Sequence, residues 1–246
     1  MGEILPGVHI VDGYVMPGWP SGGSINICLL VDNGVATLVD SGMPGVSVPL
    51  ATYLGRIGLE PRAIRRIIVT HHHIDHTGGL PEVVSLTGAE VWAHRDDAGF
   101  IDGSLKRPEP LAGRREAILA APPAEEREAA IERMRKMSNI PPVAVDVRLV
   151  GGEELNILEG CQILHTPGHT PGHLSLYLPE MSLLIAGDLL RYEGEKVSGP
   201  PEGFTADPDK AMASVSYVAT LGFDRLIGYH GGYLLSGARE AIKGLL

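Results

Sequence analysis

The chain has 246 residues and a mass of 26.2 kDa, with 44% hydrophobic and 20% charged residues. That balance suits one globular domain with a real core and excludes a disordered, collagenous or coiled-coil chain. Thirty acidic against twenty basic residues leave a net charge of −10, the reverse of the cationic surface on which nucleic-acid binders rely. The longest purely apolar runs, such as Ile27 to Val31 and Leu183 to Ala186, fall far below the ~20 residues of a membrane helix. The start, Met1 to Gly7, lacks the basic and long apolar regions of a secretory signal. The expectation is one domain over residues 1–246, soluble and cytoplasmic, with neither nucleic acid nor membrane as partner and a homodimer as the base-rate assembly. Cys28 and Cys161 sit inside apolar stretches and read as buried small hydrophobes.

In chain order, Val8 to Val11, Ile25 to Val31 and Val35 to Val39 read as strands. The last two are joined by Asp32-Asn33-Gly34, whose Asn and Gly tolerate the positive φ of a hairpin turn. Ser47 to Ile57 has helix spacing, Ile64 to Val69 is a strand running into Thr70-His71, Gly78 to Leu86 a helix, and Glu90 to Ala93 a strand. From Asp96 to Val145 the composition turns to charge and Pro, which predicts a helical insertion. Pro122-Pro123 opens a helix with a stripe of Ala130, Ile131, Met134 and Met137, Glu132 and Lys136 pair on its other side, and Pro141-Pro142 ends it. Leu111, Ile118 and Leu119 suggest a shorter helix before it. A lid, an oligomer interface and a cover for core are the roles open to this insertion. Strands return at Leu155 to Ile157, Cys161 to His165, Leu174 to Leu178 and Ser182 to Ile185. A helix follows over Ala211 to Leu221, a strand over Arg225 to Ile227 and a last helix over Gly237 to Leu245. The fold class is α/β, in layers.

Histidine is the informative residue: of ten, four lie between His71 and His76. Thr70-His71-His72-His73-Ile74-Asp75-His76 contains H-x-H-x-D-H. In an extended segment His71 and His73 point to one side, while Asp75 and His76 can turn to a neighbouring position, so one compact loop can serve two metal positions. Imidazole with carboxylate suits zinc, iron or manganese. His169, Asp188 and His230 each stand just after a predicted strand, in H-T-P-G-H-T-P-G-H, A-G-D and G-Y-H. Sites in open α/β sheets lie beyond the carboxyl ends of strands.

The ordered set T-H-x-H-x-D-H, T-P-G-H-T-x-G-H, G-D and a late G-x-H resembles the metallo-β-lactamase superfamily, from the Asp40-Ser41-Gly42 turn to His230. The resemblance implies an αββα sandwich with a metal site at one edge between the sheets. Carried across by residue, it implies that His71, His73 and His169 bind one metal, that Asp75, His76 and His230 bind a second, and that Asp188 bridges both. Two divalent metal ions are implied, zinc first, with iron or manganese as alternatives, and a bridging hydroxide as nucleophile. The same resemblance makes Asp40 a residue that orients the loop. His72 alternates away from its neighbours and reads as structural, His9 and His94 as ordinary histidines and His165 as packing. His173, four residues after His169, is open to a supporting hydrogen bond or to plain packing.

Within that family the residues narrow the reaction. Antibiotic-hydrolysing zinc enzymes commonly carry a cysteine ligand where Asp188 stands. Glyoxalase II has a similar ligand set plus a helical region that holds glutathione, and here 16 residues follow His230, an expectation against a glutathione thioester. The quorum-quenching lactonases are similar too, with a Tyr shortly after the bridging Asp. Tyr192 stands four residues after Asp188, one off that spacing. The function expected is a dinuclear metal-dependent hydrolase of the glyoxalase II-like or lactonase-like branch, attacking an ester, lactone or thioester carbonyl of a small-molecule substrate. Asp75, Asp188 and Tyr192 are its catalytic candidates, with Tyr192 or Arg191 assisting the leaving oxygen. Two rivals remain: a mononuclear non-haem iron persulfide dioxygenase using His71, His169 and Asp188, and a phosphoesterase at the same metal pair. The loops Ser198 to Pro201 and Phe204-Thr205 are expected near the mouth of the site.

Overall fold

A computed structural model describes residues 2–11, 25–107, 140–201 and 203–246. The two helices expected between Leu111 and Met137 lie outside these residues. Strands β1 (Glu3–Leu5), β2 (Val8–Ile10), β3 (Cys28–Asp32) and β4 (Val35–Val39) form an antiparallel meander. Helix α1 (Ser47–Arg56) crosses over to β5 (Ile64–Val69), which lies parallel to β4. Helices α2 (Ile74–Thr77) and α3 (Leu80–Thr87) lead to β6 (Glu90–His94), and α4 (Arg95–Asp102) precedes β7 (Val147–Leu149), both strands again parallel to their neighbours. These seven strands make one sheet in sequence order.

The second sheet begins with β8 (Glu154–Leu155), β9 (Cys161–His165), β10 (Leu174–Leu178) and β11 (Leu183–Ile185), all antiparallel. A separate hairpin of β12 (Arg191–Glu193) and β13 (Lys196–Ser198) and helix α5 (Pro208–Ala219) follow. Strand β14 (Arg225–Ile227) returns parallel to β11, β15 (Tyr233–Leu234) pairs with β14, and α6 (Ala238–Lys243) closes the chain. Among the described residues no helix is long and apolar enough to cross a membrane.

The period-2 alternation of each strand assigns its two faces to different cores. Cys28, Leu30, Val39 and Ile68 of the first sheet meet Ile163, Leu174, Leu176, Leu178, Leu183, Ile185 and Ile227 of the second. The residues in between point the other way. Leu29, Leu38, Ile67 and Val69 pack with Leu50 and Leu54 of α1 and Val83 of α3. Tyr177, Leu184 and Leu226 pack with Val215 and Val218 of α5 and Ile242 of α6. The result is the expected αββα order of layers. Both cysteines are free and buried between the sheets, where burial pushes the Cys161 thiol up to about 12, so they serve as core hydrophobes.

Three local expectations change. The helix expected from Gly78 is α3, which begins at Leu80, and a further short helix, α2, lies inside the histidine motif, so Asp75 and His76 ride on α2 rather than on a loop. The first residues of the expected insertion are α4, whose Ala98 and Ile101 are buried, Ile101 in the outer core of the first sheet. Strands β1, β7, β12, β13 and β15 are additional, each two or three residues long.

Candidate metal centre

Strands β4 and β5 run parallel, as do β11 and β14, and β9 points the same way as β11 across the antiparallel β10. Their carboxyl ends deliver Asp40, His71, Asp188, His230 and His169 to one edge of the sandwich. Three groups of donors converge there, each with donor atoms within 4.8 Å of one another: His71, His73 and His169; His71, His76 and Asp188; Asp75, His76 and His230. All seven residues that the sequence pattern nominated are thus brought together.

Asp188 stands between the two halves. Its Oδ2 lies 3.3 Å from His169 Nε2, while Oδ1 lies 3.4 Å from His76 Nε2 and 3.6 Å from His230 Nε2. His230 Nε2 is also 3.1 Å from Asp75 Oδ2, and His169 Nε2 is 3.0 Å from His73 Nδ1. His71, His76, His169 and Asp188 are buried, whereas His73, Asp75 and His230 are half-buried, so the open side of the site is theirs.

Residues behind the donors fix which ring nitrogen faces inward. His76 Nδ1–H donates to Asp40 Oδ2 at 2.8 Å. The Thr70 hydroxyl donates to the same oxygen at 2.8 Å and so accepts from His71 Nδ1 at 3.1 Å. Asp40 Oδ1 takes the Thr70 N–H at 2.7 Å. One buried carboxylate therefore sets the tautomer of a candidate donor in each half. His173 Nε2 accepts the Asp188 N–H at 3.1 Å, which leaves its Nδ1–H to donate to Thr166 at 2.9 Å; it supports the site. Tyr229 stacks on the His76 ring, centroids 3.7 Å apart, and its hydroxyl donates to the Asp75 carbonyl. Thr205 lies 3.4 Å from His169 Nδ1, which brings Thr205 to the site.

The fit to a metal is visible in what is left over. His71 Nε2, His76 Nε2 and Asp188 Oδ1 are buried, face the cluster, and have no hydrogen-bond partner. Burying such groups unpaired is costly, and a cation between them removes the cost. Burial and the crowd of neighbouring imidazoles push His71 and His169 well below the usual histidine range, and His73 to about 3; those rings are neutral at pH 7. Burial also opposes charge on His76 and His230, but Asp40, followed by Asp75 and Asp188, outweighs it at His76, and Asp188 with Asp75 outweighs it at His230, so both are raised. Asp75 and Asp188 resist the same burial through His76 and His230 and stay ionised. Five imidazoles with two carboxylates form a donor set for divalent zinc, iron or manganese, and a cation would displace the proton that these carboxylates hold on His76 and His230.

The other residues singled out in the sequence stand outside these three donor groups. Tyr192 is half-buried on β12, its ring against Gly232 and the apolar cluster beneath α5 and α6. His72 is buried against Asp97, to which Nδ1–H donates at 2.9 Å. His94 and His165 stack at 4.0 Å near Asp96, but each ring is within hydrogen-bond reach of a backbone carbonyl through Nε2, and His94 Nδ1 caps α4, so structure accounts for them. Asp97 and Tyr229 are the residues that sequence reasoning missed.

The family model described as metallo-beta-lactamase superfamily matches residues 20–230. The chain belongs to the metallo-β-lactamase superfamily. A metallo-beta-lactamase family protein of Thermus thermophilus superposes with a TM-score of 0.70 and 26% identity, over 98% of this chain and 79% of that one. The chain is 29% identical over 214 residues to "Probable metallo-hydrolase YflN" of Bacillus subtilis, covering 79% of this chain and 74% of that protein. It is 28% identical over 223 residues to a hydroxyacylglutathione hydrolase of Methylobacillus flagellatus, 90% of this chain but 62% of that enzyme. As a member of this superfamily with such relatives, the chain is a metal-dependent hydrolase.

Proposed function

We propose that the chain is a dinuclear hydrolase of carboxylic esters, lactones or thioesters of small-molecule acids. His71, His73 and His169 would hold one divalent ion, Asp75, His76 and His230 the other, and Asp188 would join them. The observation that carries this reading is the placement of the two Asp188 oxygens, one toward His169 and the other toward His76 and His230. Two bound cations supply a hydroxide nucleophile at neutral pH and Lewis acidity for the carbonyl oxygen. Zinc suits the histidine-rich half best, and iron or manganese also suits the mixed donors.

The chain's own residues do the positioning. Thr70 and Asp40 hold protons on His71 Nδ1 and His76 Nδ1, so both Nε2 lone pairs face the site. Asp75 and Asp188 supply negative charge that offsets part of the charge of two cations. The buried floor of His71, His76 and His169 excludes water, and substrate enters past His73, Asp75 and His230. Tyr192, four residues after Asp188 and bridged through its backbone to Gly231 beside His230, would donate its phenolic proton to the departing oxygen or sulfur.

The relatives named hydroxyacylglutathione hydrolase support the thioester within this substrate set, against the expectation drawn from the short stretch after His230. The test is hydrolysis of a panel of acyl thioesters, lactones, aryl esters and phosphodiesters by metal-loaded protein. Turnover of a carbonyl substrate, lost on chelation and restored by zinc or manganese, supports the reading. Turnover of phosphodiesters alone, or oxygen uptake with persulfides, overturns it.

A further inference from the structure

Asp97 lies on the first turn of α4, outside every histidine and glycine motif, and is fully buried. Its carboxylate collects hydrogen bonds from two loops. Oδ2 accepts the His72 N–H at 3.0 Å, His72 Nδ1–H at 2.9 Å and the Thr170 hydroxyl at 2.8 Å. Oδ1 accepts the Gly172 N–H at 2.8 Å. His72 stands between His71 and His73, and Thr170 directly follows His169. The His72 ring also lies against Phe100, one turn along α4, with centroids 4.6 Å apart.

We propose that Asp97 is a positioning residue, a clamp that fixes the His71–His73 segment and the His169 loop relative to each other and thereby sets metal affinity in that half of the site. The inference rests on the reading of these three histidines as ligands. His73 Nδ1 and His169 Nε2, 3.0 Å apart, come from segments 96 residues apart in sequence, and among the described residues no strand pairing joins the loops that carry them. Besides the backbone bond from the Leu174 N–H to the Thr70 carbonyl at 2.8 Å, a buried carboxylate with four donors joins them, and hydrogen bonds to an ionised acceptor are about twice as strong as neutral ones. The other half is supported by Asp40 on His76, which also reaches His71 through Thr70, and by Tyr229 on His76 and Asp75. The hydrogen bonds of Asp97 go to the first half alone, so its mutation separates the two.

Asparagine at position 97 keeps the size, removes the charge and presents an NH2 group to donors that need an acceptor. The experiment is a stepwise zinc titration in competition with a chromophoric chelator, on wild type, Asp97→Asn, Asp97→Glu and Thr170→Val, with far-UV circular dichroism of each metal-free protein. Supporting-residue changes typically cost 10–100-fold in metal affinity. Asp97→Asn is expected to weaken one zinc step by that factor and leave the other, with the dichroism spectrum unchanged and partial recovery in Asp97→Glu. Should Asp97→Asn fail to fold, Thr170→Val, which removes a single one of the four bonds, carries the test: weakening of one step supports the clamp, and wild-type affinity at both overturns it. Unchanged affinity at both steps in folded Asp97→Asn also overturns it, as does equal weakening of both. A wild-type chain that takes up no zinc overturns the dinuclear reading and the clamp together, whereas normal wild-type loading with an unaffected Asp97→Asn overturns the clamp alone.

Discussion

Asp40 and His76, 36 residues apart in sequence, share a buried hydrogen bond of 2.8 Å, and the same carboxylate reaches His71 through the Thr70 hydroxyl. One side chain at the end of β4 thus orients a donor in each half of the site. Asp40→Ala leaves the Thr70 N–H and His76 Nδ1 buried without their acceptor. The expected result is a loss of about 2–4 kcal/mol in denaturant unfolding and about 10–100-fold weaker metal binding in both halves. A variant as stable as wild type with both metals retained contradicts this role.

Asp97 gives a pH signature in the metal-free protein. Burial acts to raise its carboxyl, but hydrogen bonds and charge from His72 and the bond from Thr170 hold it down to about 2, against 3.8 for an unperturbed aspartate. A depressed carboxyl stabilises the fold above its unfolded-state pKa, and that stability is lost as pH falls through the folded value. The window is therefore from about pH 4 down to pH 2, and the amount is on the order of 2 kcal/mol. The stability gap between wild type and Asp97→Asn, measured by urea unfolding, is expected to close by about that amount across the window. A gap that stays constant contradicts the assignment.

The loop that carries His169 tests packing. Gly168 has φ +133°, and a Cβ there would lie 2.1 Å from the Ala211 nitrogen at the start of α5. Gly168→Ala is expected to cost more than ~3 kcal/mol, through both backbone strain and overlap, and to impair metal uptake. Gly194→Ala, at φ +56° with open space around it, is expected to cost only about 1 kcal/mol. Calorimetry of the pair checks the contrast.

These partners also show where sequence ends as a guide. The seven candidate donors were legible because each falls within a few residues of a glycine, proline or histidine signature and follows a short apolar or β-branched strand, as Ile64–Val69 and Cys161–His165 do. Asp97 carries no such signature: its importance comes from α4 docking beside two loops that meet only in three dimensions. Tyr229 is similar, since its contact with Asp75 spans 154 residues. Strands β1, β12, β13 and β15 are too short for periodicity to register. Helix α2 begins inside the histidine motif, with His73 in extended conformation at its N-terminal boundary, and a helix of four residues is too short for periodicity to register.

Tyr192 separates chemistry from packing. Its ring contributes to the apolar cluster under α5 and α6, which Tyr192→Phe preserves. If the hydroxyl assists the leaving group, kcat/KM falls at least about tenfold, equivalent to ~1.4 kcal/mol of transition-state stabilisation, with Tm unchanged. An unchanged kcat/KM assigns Tyr192 to packing alone.

The measurement that tests the central claim most directly is the metal content of wild type and Asp188→Ala, by elemental analysis of folded, chelator-free protein. The dinuclear account predicts about two equivalents of zinc, manganese or iron in wild type. It predicts at most about one in the variant, because among the described residues Asp188 is the carboxylate that faces both halves. A single equivalent of iron in wild type, or two equivalents kept by Asp188→Ala, contradicts it.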